Sequence, residues 1–130
     1  MAVPKLGYTI VYVPNVSEAI GFYGHAFGID ARFVHESGTY GELETGATAL
    51  AFADETLPTL PPGFAKNRAD GTAPGIELGL VCEDVAAAFA RAVAAGAVAV
   101  LPPSVKPWGQ TVAYVRDPNG VLVELCSAMG

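Results

Sequence analysis

Apolar and polar positions alternate through Leu6–Val13 (LGYTIVYV), placing Tyr8, Ile10 and Tyr12 on one face and Thr9, Val11 and Val13 on the other. The β-branched and aromatic content predicts a strand, which Pro14-Asn15 stops. The period then changes. Val16, Ala19, Ile20, Tyr23 and Phe27 recur at helical spacing, predicting a helix over Glu18–Phe27 with Ser17 as its N-cap and Gly28 as its end. Three more strands follow: Ala31–His35, Tyr40–Glu44 after a Ser37-Gly38 turn, and Ala47–Ala53 after Thr45-Gly46. In the last of these, Ala47, Ala49, Ala51 and Ala53 alternate with Thr48, Leu50 and Phe52. One face is bulky; the other is all methyl groups and leaves room for a close backbone or for a ligand.

Glu55–Gly75 is a long polar connection containing Pro58, Pro61, Pro62 and Pro74, of a length that serves either as a lid or as a solvated linker. Beyond it the opening pattern returns. Gly75–Cys82 reads as a strand, Asp84 takes the place of Asn15, and Val85–Ala95 is an alanine-rich helix ended by Gly96. A short strand Val98–Leu101 and a loop Pro102–Pro107 lead to a closing hairpin, Gln110–Val115 and Val121–Cys126. Its reversal is Arg116-Asp117-Pro118-Asn119-Gly120, where Asn-Gly supplies a positive φ and Pro118 presets the entry. The separation from Tyr8 to Asn15 equals that from Glu77 to Asp84. Each half therefore reads strand, helix, then three strands. The expectation is one α+β domain of two modules, 5–54 and 75–127, joined by a Pro/Gly-rich linker, 55–74. A pseudo-two-fold would relate the modules, with ligand space at or near their junction.

The repeat makes Tyr8 and Glu77 equivalent on first strands, and Ala51 and Glu124 equivalent on last strands. Glu124 lies between Val123 and Leu125, where a charge is expensive unless it is paired, hydrogen-bonded or facing a wet cavity. If Glu77 and Glu124 face one cleft, their like charges raise at least one pKa and make an acid/base candidate. Otherwise Glu77 caps backbone or pairs with a cation at a sheet edge. Trp108, the only tryptophan, stands between Pro107 and Gly109. Together with Tyr8, Tyr12, Tyr40 and Tyr114 it suits stacking on a flat organic molecule; alternatively it plugs the core or an interface.

Composition narrows the function classes. A hydrophobic fraction of 52% excludes a disordered chain. Seven basic and thirteen acidic residues give −6, with no basic run, which argues against nucleic acid and anionic membrane surfaces. No signal-peptide pattern opens the sequence and no apolar run approaches the ~20 residues of a spanning helix. The expectation is a soluble cytoplasmic protein in which Cys82 and Cys126 are reduced, buried thiols. There is no Gly-rich phosphate loop, GxSxG or CxxC. A metal centre needs three or four converging ligands, and neither His25 nor His35 has a carboxylate at ligand spacing. No cofactor is expected; the alternative is a divalent cation (Mg²⁺, Mn²⁺ or Ca²⁺) on Glu77 and Glu124.

Three stretches, Tyr8–Gly28, Glu77–Gly96 and Trp108–Leu125, resemble the vicinal oxygen chelate superfamily: glyoxalases, bleomycin-resistance proteins and extradiol dioxygenases. The Phe22-Tyr23 pair before Gly28 and the Arg116–Gly120 turn before Glu124-Leu125 are the most specific pieces. The resemblance implies two βαβββ modules whose curved mixed sheets enclose a cleft, usually in a homodimer. The metal-ligand positions of metal-dependent members fall on Tyr8, Ala51, Glu77 and Glu124, of which only Glu124 is a conventional match. The pattern is therefore closer to the metal-free members that sequester antibiotics. The implied site comprises Tyr8, Tyr12, Ala49, Ala51, Glu77, Trp108 and Glu124, binding a planar or aromatic, neutral or cationic compound. A lyase, isomerase or dioxygenase using Glu77 and Glu124 as an acid/base pair, or as a partial metal site, is the rival expectation.

Overall fold

A computed structural model describes residues 2–129. The chain forms two compact units that divide after Lys66, inside the Pro/Gly-rich connection. In the first unit the order is β1 (Tyr8–Val13), α1 (Val16–Phe27), β2 (Ala31–Val34), β3 (Tyr40–Leu43) and β4 (Ala49–Asp54). The sheet runs β1-β4-β3-β2, with β1 parallel to β4 and the other pairs antiparallel. Alternation decides which side the helix covers. Leu50, Phe52, Leu43 and Val13 are buried, and the Tyr23 ring of α1 meets Phe52 at 5.1 Å. Gly41 leaves the space that Ile20 fills: a β-carbon there would sit 3.3 Å from the Ile20 side chain.

The cap of α1 differs from the expected one. Asn15, not Ser17, is the N-cap: its backbone is extended and its Oδ1 accepts from the Glu18 N–H at 3.0 Å. Ser17 already lies inside the helix, so its hydroxyl is not at the position from which an N-cap serves the first turn. The other end matches expectation, because Gly28 adopts the left-handed conformation (φ 72°) and donates to the Gly24 and Tyr23 carbonyls.

The second unit repeats the plan with β5 (Glu77–Val81), α2 (Val85–Ala94), β6 (Val98–Val105), β7 (Thr111–Arg116) and β8 (Leu122–Cys126). Its sheet runs β5-β8-β7-β6, with β5 parallel to β8. Asp84 caps α2 as Asn15 caps α1, accepting from the Ala87 N–H at 3.0 Å. Registers repeat as well: Ile10 pairs with Ala51 and Gly79 with Glu124. β6 overturns one expectation, since it continues through Pro102 and Pro103 to Val105 where a loop was expected. It lies at the sheet edge and its pairing slips between Ala99 and Leu101 and again between Leu101 and Ser104. An edge strand with bulges tolerates the missing proline N–H.

The Arg116–Gly120 reversal is built around Asp117, which is only 1% exposed. Its Oδ1 accepts from the N–H groups of Asn119 (2.8 Å) and Val121 (3.0 Å), and Gly120 takes the positive φ of 87°. Among the described residues no helix is long and apolar enough to cross a membrane.

Candidate ligand-binding site

On each sheet, the face turned away from its helix carries the polar chemistry. In the second unit this face presents Glu77 and Gly79 from β5, Leu122, Glu124 and Cys126 from β8, and Tyr114 and Arg116 from β7. Glu77 pairs with Leu122 and Gly79 with Glu124, so the two glutamates share one face, offset by two residues on neighbouring strands. The hairpin register sets Tyr114 opposite Glu124, and its hydroxyl donates to Glu124 Oε1 at 2.8 Å. Gly79, the other neighbour of Glu124, has no side chain, and a β-carbon there would meet nothing within 4 Å. One flank of the carboxylate is thus left uncovered.

A groove of about 500 Å³ opens beside this cluster. Its walls are Pro74, Gly75, Ile76, Val100, Leu101 and Leu122, with Glu77 and Tyr114 contributing the polar groups. The electrostatics follow from burial and from two like charges. Burial first, and then the charge of Glu124, raise the Glu77 pKa above its ordinary value. Tyr114 is pushed up to about 12, chiefly by its hydrogen bond to Glu124 and then by burial. Cys126, whose thiol donates to the Leu80 carbonyl at 3.7 Å, is pushed up to about 11 by burial and then by the nearby Glu124 carboxylate, which favours the thiol over the thiolate. Cys82 and Cys126 are both free.

Trp108 does not line this groove. It sits in the β6–β7 turn, 62% exposed, with its indole N–H donating to Gln110 Oε1 at 2.9 Å. Gln110 Nε2 in turn donates to the Ser127 carbonyl at 2.8 Å. Glu77 lies level with Leu122 and Arg116, whereas Trp108 precedes Thr111 at the far end of β7. Along that strand the separation is roughly 17 Å.

In the first unit the corresponding face holds Tyr8, Ile10 and Tyr12 of β1, Ala49, Ala51 and Ala53 of β4, and Tyr40 and Glu42 of β3. The room expected over the alanine methyls is not exposed surface, because Ala49, Ala51 and Ala53 are all buried (Ala51 at 0%). Small side chains between longer ones on both flanking strands lie at the bottom of the relief. Tyr8 remains largely exposed, and Tyr12 is half-buried with its ring 4.6 Å from that of Phe64. A second tyrosine–carboxylate pair stands here: the Tyr40 hydroxyl donates to Glu42 Oε2 at 2.8 Å. Glu42 is 7% exposed and also meets Arg32 Nη1 at 3.4 Å, while Arg32 forms its shorter bonds to Glu44. Burial, then Glu42, push the Tyr40 pKa up to about 12.

Sequence reasoning missed Glu42 and the hydrogen-bonding roles of Tyr40 and Tyr114. Both signals were present. Tyr40 and Glu42 are two apart on one strand and so share a face. Counting back from the Arg116–Gly120 reversal sets Tyr114 against Glu124.

The metal-ligand positions of the metal-dependent relatives do not suit a metal centre here. Ala51 has no donor atom and Tyr8 is a phenol. Among the described residues no three His, Cys, Asp or Glu side chains come together as a metal would require.

The repeated βαβββ plan, the Arg116–Gly120 reversal and the open faces define the class. The profile of the Glyoxalase/Bleomycin resistance protein/Dioxygenase superfamily matches residues 5–125, and the chain belongs to that superfamily. Among solved structures, a glyoxalase-related enzyme from Fulvimarina pelagi is similar at a TM-score of 0.81 and 21% identity, over 97% of this chain and 89% of that one. TioX from Micromonospora sp. ML1 is similar at 0.75 and 21%, over 95% and 98%. A glyoxalase/bleomycin resistance protein/dioxygenase family enzyme from Burkholderia phytofirmans PsJN is similar at 0.72 and 17%, over 97% and 100%. These identities carry the shared fold and nothing further. No curated protein matches the chain.

Proposed function

We propose that this protein binds a small planar or aromatic organic molecule, neutral or cationic, and acts by sequestering or carrying it, as an antibiotic-binding member of its superfamily would. The observation that carries the reading is the groove: about 500 Å³, mostly apolar walls, and a polar corner of Glu77 and Tyr114. That volume and that ratio of apolar wall to placed polar group suit a drug-sized guest. The excess of acidic side chains favours a cation over an anion. The groove is lined by the second unit alone: Trp108 stands at the far end of β7, and Tyr8, Tyr12, Ala49 and Ala51 belong to the sheet of the first unit. No metal is required. Family membership supports a homodimer, and reduced Cys82 and Cys126 accord with a cytoplasmic protein.

Thioflavin T, a planar permanent cation, is the first probe, with the anionic dye 1-anilinonaphthalene-8-sulfonate as its counterpart. The expected result is a fluorescence titration that saturates for the cation and stays flat for the anion. Glu77→Gln with Tyr114→Phe should weaken binding by about tenfold. Trp108→Ala, which removes an indole that does not line the groove, should leave the same titration unchanged; a loss of ~1–3 kcal/mol would instead make Trp108 an anchor. Equal binding of both dyes, or none, would overturn the reading.

A second reading is favoured by the raised pKa of Glu77 beside Glu124. In it the two glutamates move a proton in a lyase, isomerase or dioxygenase of the superfamily. Their alternative role as a divalent-cation site is tested by equilibrium dialysis with Mn²⁺. Uptake by the native chain that disappears in a Glu77→Gln/Glu124→Gln variant would replace the metal-free proposal.

A further inference from the structure

The connecting segment was expected to be either a lid or a solvated linker. In its last part, one arginine bonds to the backbone of the segment. Arg116 lies on the open face of the second sheet, level with Leu122 and Glu77. Its guanidinium does not turn to either glutamate. Nε donates to the Gly120 carbonyl at 2.8 Å, and Nη2 donates to the carbonyls of Gly71 (2.8 Å) and Arg68 (3.3 Å). The Arg68–Gly71 segment is itself a turn, closed by Gly71 N–H donating to the Arg68 carbonyl at 3.2 Å. Gly120 makes room for this turn: a β-carbon there would lie 2.5 Å from Arg116 Nη2 and 2.8 Å from the Arg68 carbonyl carbon. Three residues after the anchored turn come Pro74, Gly75 and Ile76, a wall of the groove.

We infer that Arg116 is a positioning residue: by binding the Arg68–Gly71 turn to the β7–β8 reversal, it holds Pro74–Ile76 in place as a wall of the ligand groove. The inference rests on the reading of that groove as the binding site. The argument is one of geometry and solvation. A turn in an exposed connection has few apolar contacts of its own, so its position depends on the bonds that seat it. Here those bonds are charge-assisted donations from one planar fork to carbonyls far apart in sequence. Because the guanidinium is committed to carbonyl oxygens, it forms no ion pair with Glu77 or Glu124, and the groove keeps its acidic character.

Hydrogen–deuterium exchange on the ligand-free protein tests the anchoring directly. In Arg116→Met, the Gly71 amide, which closes the turn by donating to the Arg68 carbonyl, should exchange about tenfold faster, while Val112 and Leu125 in β7 and β8 keep their native protection. Arg116→Lys, which retains a charged donor but reaches fewer carbonyls, should fall between the two. It also carries the test if the methionine variant fails to fold. Trypsin gives a second readout, since the bond after Arg68 is cut only when the turn leaves its seat. The same variants should weaken thioflavin T binding, with partial recovery in the lysine form. Native exchange at Gly71 in Arg116→Met would overturn the inference. So would acceleration spread evenly over the whole second unit, which would make Arg116 a general stabiliser. Failure of thioflavin T to bind the native protein would instead remove the functional reading and leave the exchange result standing.

Discussion

Glu77 is the residue whose environment works against it. Partial desolvation and the charge of Glu124 both disfavour its ionised form although the side chain still reaches solvent, so its folded-state pKa is raised above the ordinary 4.5. A group raised in this way contributes stability below its unfolded pKa and loses that contribution as pH rises through the folded pKa. Above that window the native state carries an ionised Glu77 at a disadvantage. Glu77→Gln should therefore raise the thermal midpoint at pH 7, and the gain over the native chain should vanish below pH ~4. Scanning calorimetry at the two pH values checks this; an equal or lower midpoint at pH 7 would mean that Glu77 has a stabilising partner. Retaining a carboxylate at such a position is the kind of stability lost where function demands it. Glu44 works in the opposite sense, its pKa held down by the hydrogen bond from Arg32, and its contribution is lost as pH falls. The Glu77 gain is thus best read as a difference between variants and not from one pH curve.

At the scale of elements, helix entrances and strand edges decided where reading the chain succeeded. The β-α-β-β-β order of both halves was legible because period-2 and period-3.6 stretches alternate cleanly and because Gly28 and Gly96 mark helix ends. The entrance to α1 was harder: Asn15 and Ser17 are both good capping residues, and the choice depends on which backbone stays extended. Asn15→Ala should cost about 1 kcal/mol of stability in chemical denaturation, and Ser17→Ala close to nothing. Comparable losses from both would show that the first turn frays and shares its caps. The repeat supplies an internal control, because Asp84→Ala removes the equivalent cap of α2. In β6, Pro102 and Pro103 read as loop, and only its edge position and slipped pairing let the strand continue. A local pattern says nothing about which strand will be at an edge.

At the scale of the whole molecule, the family and fold were legible, while the working parts of the site depended on register. The alanine strand illustrates the gap: alternation identified its methyl face, but burial depends on the longer side chains of the strands on either side. Likewise the partner of Glu124 is ten residues away in sequence and appears only when the hairpin is paired. What carries over from composition is charge. A chain of net −6 whose groove holds Glu77, beside a Glu124 that no lysine or arginine among the described residues pairs with, should attract cations and release them on acidification. The sign follows from linkage. A bound cation stabilises the ionised form of Glu77 and lowers its pKa, so affinity must rise with pH through the range where the free groove loses that proton. Thioflavin T keeps its charge throughout, so any pH dependence belongs to the protein. Titrations from pH 4 to pH 8 should show affinity increasing and then levelling above the raised Glu77 pKa. Glu77→Gln should flatten that profile at a lower affinity. A profile that keeps its slope in Glu77→Gln would move the responsible proton to another group, and with it the centre of the site away from Glu77 on the groove wall.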